Sequence, residues 1–299
     1  MFGFLNINKP SSITSSKVVY ILRKVLNIKQ IGHCGTLDPL ASGVLPIAIG
    51  KATRLIEYLP NDKQYVATFE LGKKSDTYDI EGDVQEVENF DFSQIDEKII
   101  SSVLNRFVGE ILQEVPAFSA VKVKGQKLYN LARKGVVIEK LPQKTIYIDD
   151  IKLLNYNEKQ KTGQFIVTCK KGVYVRSIIN DLGNILKCGA IMTDLKRTIS
   201  NGFNIENSIS NFENFETLKN SIINPLEILP YDALNLNEYE ARKIKFGQTI
   251  EKYGLKCNNK ILMLNYNEKL QAMGKLVDGK IELEKVFIWK KYLNFYLLY

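Results

Sequence analysis

The twelve residues Gly32-His33-Cys34-Gly35-Thr36-Leu37-Asp38-Pro39-Leu40-Ala41-Ser42-Gly43 constrain this chain more than any other stretch. Three glycines and a proline at this density exclude a regular helix or strand, because glycine takes dihedrals that other residues avoid and proline locks its own. The segment has to be a shaped loop. The apolar run at 44–49 that follows reads as a buried strand, which would anchor the loop on one side. The loop contains the chain's only histidine and one carboxylate, Asp38. A carboxylate presented from a rigid loop suits a nucleophile or a general base. Taken by itself, an aspartate that caps backbone N–H groups in a turn is the commoner outcome.

Composition narrows the class. With 299 residues, 45% of them hydrophobic, the chain can bury a sizeable core in two domains or in one large domain with an appendage. A net charge of +8 favours a polyanionic partner such as RNA. The first ten residues hold no long apolar core and include Lys9, so no signal peptide is expected. No run approaches the roughly 20 apolar residues of a membrane helix. Cys34, Cys169, Cys188 and Cys257 lie far apart without a CxxC pair and read as free thiols of a cytoplasmic protein.

Periodicity predicts the elements. A short strand at residues 5–8 ends at Lys9-Pro10. Val18, Ile21, Leu22 and Val25 then make a helical stripe capped by Thr14 or Ser15. Tyr65, Ala67, Phe69 and Leu71 alternate with more polar neighbours, as on a strand with one face inward. Residues 72–82 read as an acidic loop, Ile99, Ile100, Val103, Leu104 and Phe107 stripe a second helix, and a short helix over 126–134 is expected to stop at Gly135. Residues 164–169 and 173–176 are expected as strands joined at Lys171-Gly172, which would put Tyr174 and Arg176 on one face. A helix striped by Ile178, Ile179, Leu182, Ile185 and Leu186 follows. A domain boundary is expected at residues 225–230, then a capping box (Asn237, Glu240) and short strands near 261–264, 270–276 and 280–283.

Several short motifs recur in a fixed order: Asn8-Lys9-Pro10; Gly32-His33-Cys34-Gly35-Thr36-Leu37-Asp38-Pro39; Lys63-Gln64-Tyr65; Asp76-Thr77-Tyr78-Asp79 with Gly82; Pro116-Ala117-Phe118-Ser119-Ala120-Val121-Lys122; and Lys171-Gly172-Val173-Tyr174-Val175-Arg176-Ser177 with Asp181-Leu182-Gly183. Together these blocks resemble the TruB-type tRNA pseudouridine-55 synthase family over roughly residues 3 to 203. The stretch 189–198 resembles the family's late motif, with Leu195 in place. It has Ile191 where histidine is frequent and Lys196 where arginine is frequent, which weakens any bidentate contact there. The region after residue 230 resembles a PUA-like RNA-binding domain, mainly through residues 236–248.

The resemblance implies an α+β fold: a catalytic domain over residues 1–230, with a mixed, largely antiparallel sheet flanked by helices, and a reduced PUA-like β domain over 231–299. It implies a monomer that binds the T-arm of tRNA and extrudes uridine 55. Asp38 exchanges the N-glycosidic bond for a C-glycosidic one, with no cofactor and no metal. By the same resemblance Asp38, Tyr65 and Arg176 are catalytic, and His33, Tyr65, Tyr174, Leu195 and Lys9 contact substrate. Arg176 is the cation expected to keep Asp38 ionised. Tyr65 would stack on the base and offer its hydroxyl as a proton acceptor or water-positioning group. Attack at ribose C1′, attack at uracil C6 and a glycal route are all compatible with these residues. A guide-RNA-dependent relative, an RNA chaperone on the same fold and an RNA glycosidase or nuclease are the alternative readings.

Overall fold

A computed structural model describes residues 1–123, 125–136, 141–252 and 259–287 of the chain. The first 204 residues contribute β1 (Gly3–Lys9), α1 (Ser15–Leu26), β2 (Ile31–His33), β3 (Ser42–Ile49), β4 (Asp62–Leu71), β5 (Lys73–Ser75), β6 (Val84–Glu86), α2 (Glu97–Asn105), β7 (Gly109–Glu114), β8 (Lys122–Val123), β9 (Gln126–Lys127), α3 (Leu128–Ala132), β10 (Gln143–Asn157), β11 (Thr162–Lys170), α4 (Val175–Ile185), β12 (Ala190–Ser200) and β13 (Phe203–Asn204). The remainder contributes α5 (Phe215–Asn220), α6 (Pro225–Ile228), β14 (Asp232–Asn235), α7 (Glu238–Lys245), β15 (Ile250–Glu251), β16 (Ile261–Tyr266), β17 (Lys269–Val277) and β18 (Lys280–Val286).

A nine-stranded sheet runs β1-β3-β12-β4-β11-β10-β7, with β13 on β12 and β2 on β3. Every pairing is antiparallel except β12 with β3, where Lys196 lies opposite Ser42 and Arg197 opposite Gly43. Gly43 has φ +100°, and a side chain there would collide with the Arg197 backbone. Glycine is what lets these two strands close at the mouth of the 32–43 loop. On β4 the buried positions are Lys63, Tyr65, Ala67, Phe69 and Leu71, so the alternation puts this face against the helices and cleft as expected. Helix α1 starts at Thr14, whose side chain accepts the Lys17 N–H.

Two expectations need correction. Residues 173–176 do not form a strand: α4 begins at Val175, and Tyr174 is its N-cap residue. The β-branched spacing of Val173 and Val175 mimics a strand, but a tertiary contact decides the matter. Gln113 on β7, itself buried, accepts the Tyr174 N–H at 2.8 Å and donates to its carbonyl at 3.0 Å. The helix expected over 126–134 is shorter, Leu128–Ala132, because Gln126–Lys127 pairs with Lys122–Val123 in a small hairpin. The fifteen-residue β10 carries no clear alternation in sequence. Its register slips between Ile148 and Asp150 and again between Leu153 and Asn155, and each bulge breaks the period of two.

The second sheet, β14-β16-β17-β18-β15, is built around the expected hairpins, and the Asn237–Glu240 capping box of α7 is formed. It shares a hydrophobic cluster with the first unit: Phe4, Val44, Leu55, Tyr58 and Leu229 pack with Met263, Leu270, Met273 and Phe287. Tyr58 also donates to Glu284 at 2.8 Å, and Glu57 pairs with Lys285 at 2.9 Å. Cys34, Cys169 and Cys188 are free thiols, while Cys257 lies outside the described residues. No described helix is long and apolar enough to cross a membrane. Leu55→Ala, in the shared cluster, is expected to lower stability by about 2–5 kcal/mol through the cavity it leaves. Leu112→Ala, at a position 62% exposed, should change it by about 0.5 kcal/mol or less. Urea unfolding of both variants checks this contrast.

Candidate active site

The loop that carries Asp38 is shorter than the glycine and proline density suggests, because pairing takes residues 32–33 into β2 and 42–43 into β3. The remaining residues, 34–41, hang from these two strands and are braced from behind. Ser15, the first residue of α1, accepts the Leu37 N–H at 2.8 Å and donates to the Leu37 carbonyl at 3.0 Å. Lys9 is fully buried and gives its ammonium to the carbonyls of Ile13 (2.7 Å), Pro10 (2.8 Å) and Pro39 (3.3 Å). Burial pushes the Lys9 ammonium down to about 8, and Asp38 pulls it back up. Arg197, also buried, donates to the carbonyls of Val44 (2.7 Å), Thr36 (3.2 Å) and Gly35 (3.2 Å). Three side chains thus hold the loop by its backbone, leaving Asp38 free to face outward.

Asp38 opens onto a cleft of about 1100 Å³. Its carboxylate is 36% exposed and meets Arg176 Nε at 3.0 Å. Arg176 itself is buried. Its Nη1 donates to the Thr77 carbonyl at 2.9 Å and lies 3.5 Å from Asp79 Oδ2, while Nη2 donates to the Phe118 carbonyl at 3.1 Å. All three guanidinium nitrogens therefore have protein partners, which set its position before any substrate arrives. Burial pushes the Asp79 carboxyl up; the Thr77 hydroxyl (2.6 Å), Arg176 and the Glu81 N–H (3.0 Å) pull it back down.

Tyr65, Tyr174 and Leu195 line the same cleft. Tyr65 and Leu195 are inward positions on β4 and β12, and Tyr174 stands at the start of α4. Burial holds the Tyr65 phenol above its ordinary value, with Arg197 opposing, so the hydroxyl is protonated at neutral pH. Two of the expected substrate contacts lie elsewhere. Lys9 sits beneath the loop with its ammonium spent on carbonyls. His33 ends β2 one residue before Cys34, and of the two only Cys34 lines the cleft. Burial and the nearby Arg197 lower the His33 pKa, and its Nδ1 is buried without a partner. Ile191 is buried, and Lys196 points away from the cleft and is exposed, so the two departures in the 189–198 motif fall outside the cleft wall. The guanidinium that matters on this strand is that of Arg197.

Gln113, Asp79, Lys63 and Arg197 were not singled out from sequence as site residues. Asp79, Lys63 and Arg197 do carry a sequence signal, because they lie inside the 76–79, 63–65 and 189–198 motifs. Gln113 carried none.

An aspartate paired with a buried arginine, in a cleft walled by two tyrosines and a leucine, is an arrangement suited to carboxylate chemistry on a flat ring. Comparison with known proteins agrees. The family described as TruB family pseudouridylate synthase (N terminal domain) matches residues 23–175. A protein of Clostridium tetani named tRNA pseudouridine synthase B is 40% identical over 297 residues, spanning 96% of this chain and all of that one. Another of that name from Acaryochloris marina is 37% identical, over 94% and 97% of the two chains. A chain in the crystal structure of a Cbf5-Nop10-Gar1 complex superposes with a TM-score of 0.69 at 27% identity, covering 96% of this chain and 85% of that one. The chain belongs to the TruB family of pseudouridylate synthases. Its fold is a mixed, largely antiparallel synthase sheet flanked by helices, followed by a small PUA-like β domain.

Arg176→Met leaves Asp79 buried without its cation, and is expected to lower stability by about 3–5 kcal/mol at neutral pH. The Asp79 carboxyl is then pushed up further. Between the unfolded and folded values the folded state binds more protons, so stability falls as pH rises. The deficit relative to wild type should therefore shrink as pH falls towards about 4, which thermal melts across pH check.

Proposed function

We propose that this chain converts uridine to pseudouridine at position 55 in the T-arm of tRNA. The observation that carries this reading is the 3.0 Å pair between Asp38, open to the cleft, and Arg176, held through all three guanidinium nitrogens. A base stacked inside an RNA loop cannot reach that carboxylate. The uridine must swing out, at a cost of a few kcal/mol offset by backbone contacts. Tyr65, Tyr174 and Leu195 would hold the ring while Asp38 adds to the ribose or the base, the N1–C1′ bond breaks, the ring turns, C5 bonds to C1′ and the Asp38 carboxylate is released. The C5 proton leaves in the last step. Because the Tyr65 phenol is itself protonated, it would act as a relay, taking the C5 proton as it passes its own to solvent water in the cleft, while N1 of the turned ring takes up a proton from solvent.

Asp38, Tyr65 and Arg176 are the catalytic set in this reading, with Tyr174 and Leu195 as substrate contacts. Lys9 is better placed as a residue that positions the Asp38 loop. His33, half-buried at the end of β2, remains a candidate RNA contact. Residues 1–230 would form the catalytic domain and 231–299 a reduced PUA-like domain that adds RNA contacts. The basic charge suits tRNA as the partner of a cytoplasmic monomer.

Asp38→Asn keeps the shape and removes the charge. It should abolish isomerisation while hairpin binding stays within a few fold; measurable turnover by this variant would sink the assignment. Arg176→Lys should be only partly active, since a point charge cannot make the contacts of the guanidinium fork. Tritium release from uridine labelled at C5, without free uracil or strand cleavage, tests the reaction itself.

A further inference from the structure

Two cations on the floor of the cleft take no direct part in this chemistry. Lys63 on β4 and Arg197 on β12 face the same side as Tyr65 and Leu195, and both line the cleft. Lys63 is 7% exposed and Arg197 1%. The guanidinium is spent on the backbone carbonyls of the Asp38 loop and of Val44. The ammonium donates to Ser200 Oγ at 2.6 Å and to Asn201 Oδ1. Among the described residues, neither cation forms an ion pair with a carboxylate. Buried charges are ordinarily paired, because removing an ion from water is costly unless an opposite charge replaces the solvent.

The groups facing Lys63 make that lack sharper. Asp62, its neighbour on β4, uses one oxygen to accept the Gly202 N–H at 3.0 Å. Glu57, at the same end of the cleft, is paired with Lys285. Asp38 lies against Arg176. The Cys34 thiol is pushed up to about 12 by burial and is neutral. Burial, reinforced by Arg197, pushes the Lys63 ammonium down to about 7, opposite to the effect of a bound anion. Two of the three ammonium donors have partners, which leaves one for a ligand. Gly35 leaves this corner open: a Cβ there would sit 3.5 Å from Lys63 Nζ and 3.7 Å from Arg197 Nη1.

We infer that the Lys63 end of the cleft, backed by Arg197, binds a backbone phosphodiester of the RNA next to the extruded uridine. The inference rests on the uridine-isomerase reading. The cleft lining is mixed: polar Thr53, Asn61 and Asn201, the last bonded to Lys63, besides Tyr65, Tyr174, Val175 and Leu195. A nucleotide that leaves the stack draws its flanking phosphates towards the enzyme, and each brings a full negative charge. A phosphate oxygen at Lys63 supplies the missing counter-charge and accepts the third N–H. In the free enzyme burial disfavours the charge on Lys63, and a phosphate would favour the ammonium form and pair with it when RNA enters. Lys63 is a binding residue, and Arg197 acts through Lys63 and the loop.

The test is binding of a T-arm hairpin against salt for wild type, Lys63→Met and Lys63→Arg. Lys63→Met should bind about tenfold more weakly at low salt. The slope of log K against log salt should fall by about one phosphate contact, while Lys63→Arg keeps the slope. Without RNA, Lys63→Met should melt at or above the wild-type temperature, since it removes an unpaired buried charge. An unchanged slope overturns the inference, and a lowered melting temperature with that slope would make Lys63 a structural post for Ser200 and Asn201. Inorganic phosphate alone raising the wild-type melting temperature, with the hairpin slope unchanged, overturns it too, because the site would then serve a free anion. If Lys63→Met does not fold, Lys63→Gln, which retains a donor for Ser200 or Asn201, takes its place. Pseudouridine formation by wild type in the same samples separates the two failures: no conversion refutes the isomerase reading, whereas conversion with an unchanged slope refutes only the phosphate site.

Discussion

The contact between Asp38 and Arg176 is the constraint on which the rest of this structure converges. Arg176 sits in the first turn of α4, where the helix N-terminus carries partial positive charge and disfavours a cation. That turn contains no acidic residue of its own. The guanidinium is stabilised instead by partners from three other segments: Asp38 from the 34–41 loop, Thr77 and Asp79 from the turn before β6, and Phe118 from the stretch after β7. A single buried side chain thereby brings four distant pieces of chain to one point. The arginine pairs with Asp38 and ties the cleft together at once.

The Asp38 carboxylate is partly open to the cleft, so its own contacts cannot fix the loop. The bracing is therefore displaced to the loop's backbone, through Lys9, Ser15 and Arg197. Two of these three braces are cations buried without carboxylate partners among the described residues, and burial lowers the Lys9 pKa. Their charges are met by carbonyl oxygens, which are weaker counter-groups than carboxylates. The loop is bought at some expense to stability, a pattern expected where a site is pre-formed.

Much of the scaffold was legible in the sequence because local rules and tertiary demands agree there. The inward set on β4, the Thr14 cap, the Asn237–Glu240 capping box and the hairpins of the second sheet each follow from a period or a cap that a short window contains. The start of α4 was misread because its boundary is set by Gln113, some sixty residues away, while Val173 and Val175 locally imitate a strand. Strand β10 was missed because two bulges erase its alternation. In the site, Lys9 looked like a substrate contact, since a sequence shows that a lysine is present but not which way its ammonium points.

By itself, then, the sequence determined the loop that presents Asp38, the alternation of β4, the basic charge and the family to which the chain belongs. Those depend on residue type and spacing, and both are local properties. Only the tertiary structure decided which cations face the cleft and which support it from beneath, that Asp79 backs Arg176, and that Lys63 and Arg197 form the floor. Such choices depend on which buried charge meets which distant carbonyl or carboxylate, and desolvation is a property of the packed molecule that no stretch of chain carries alone.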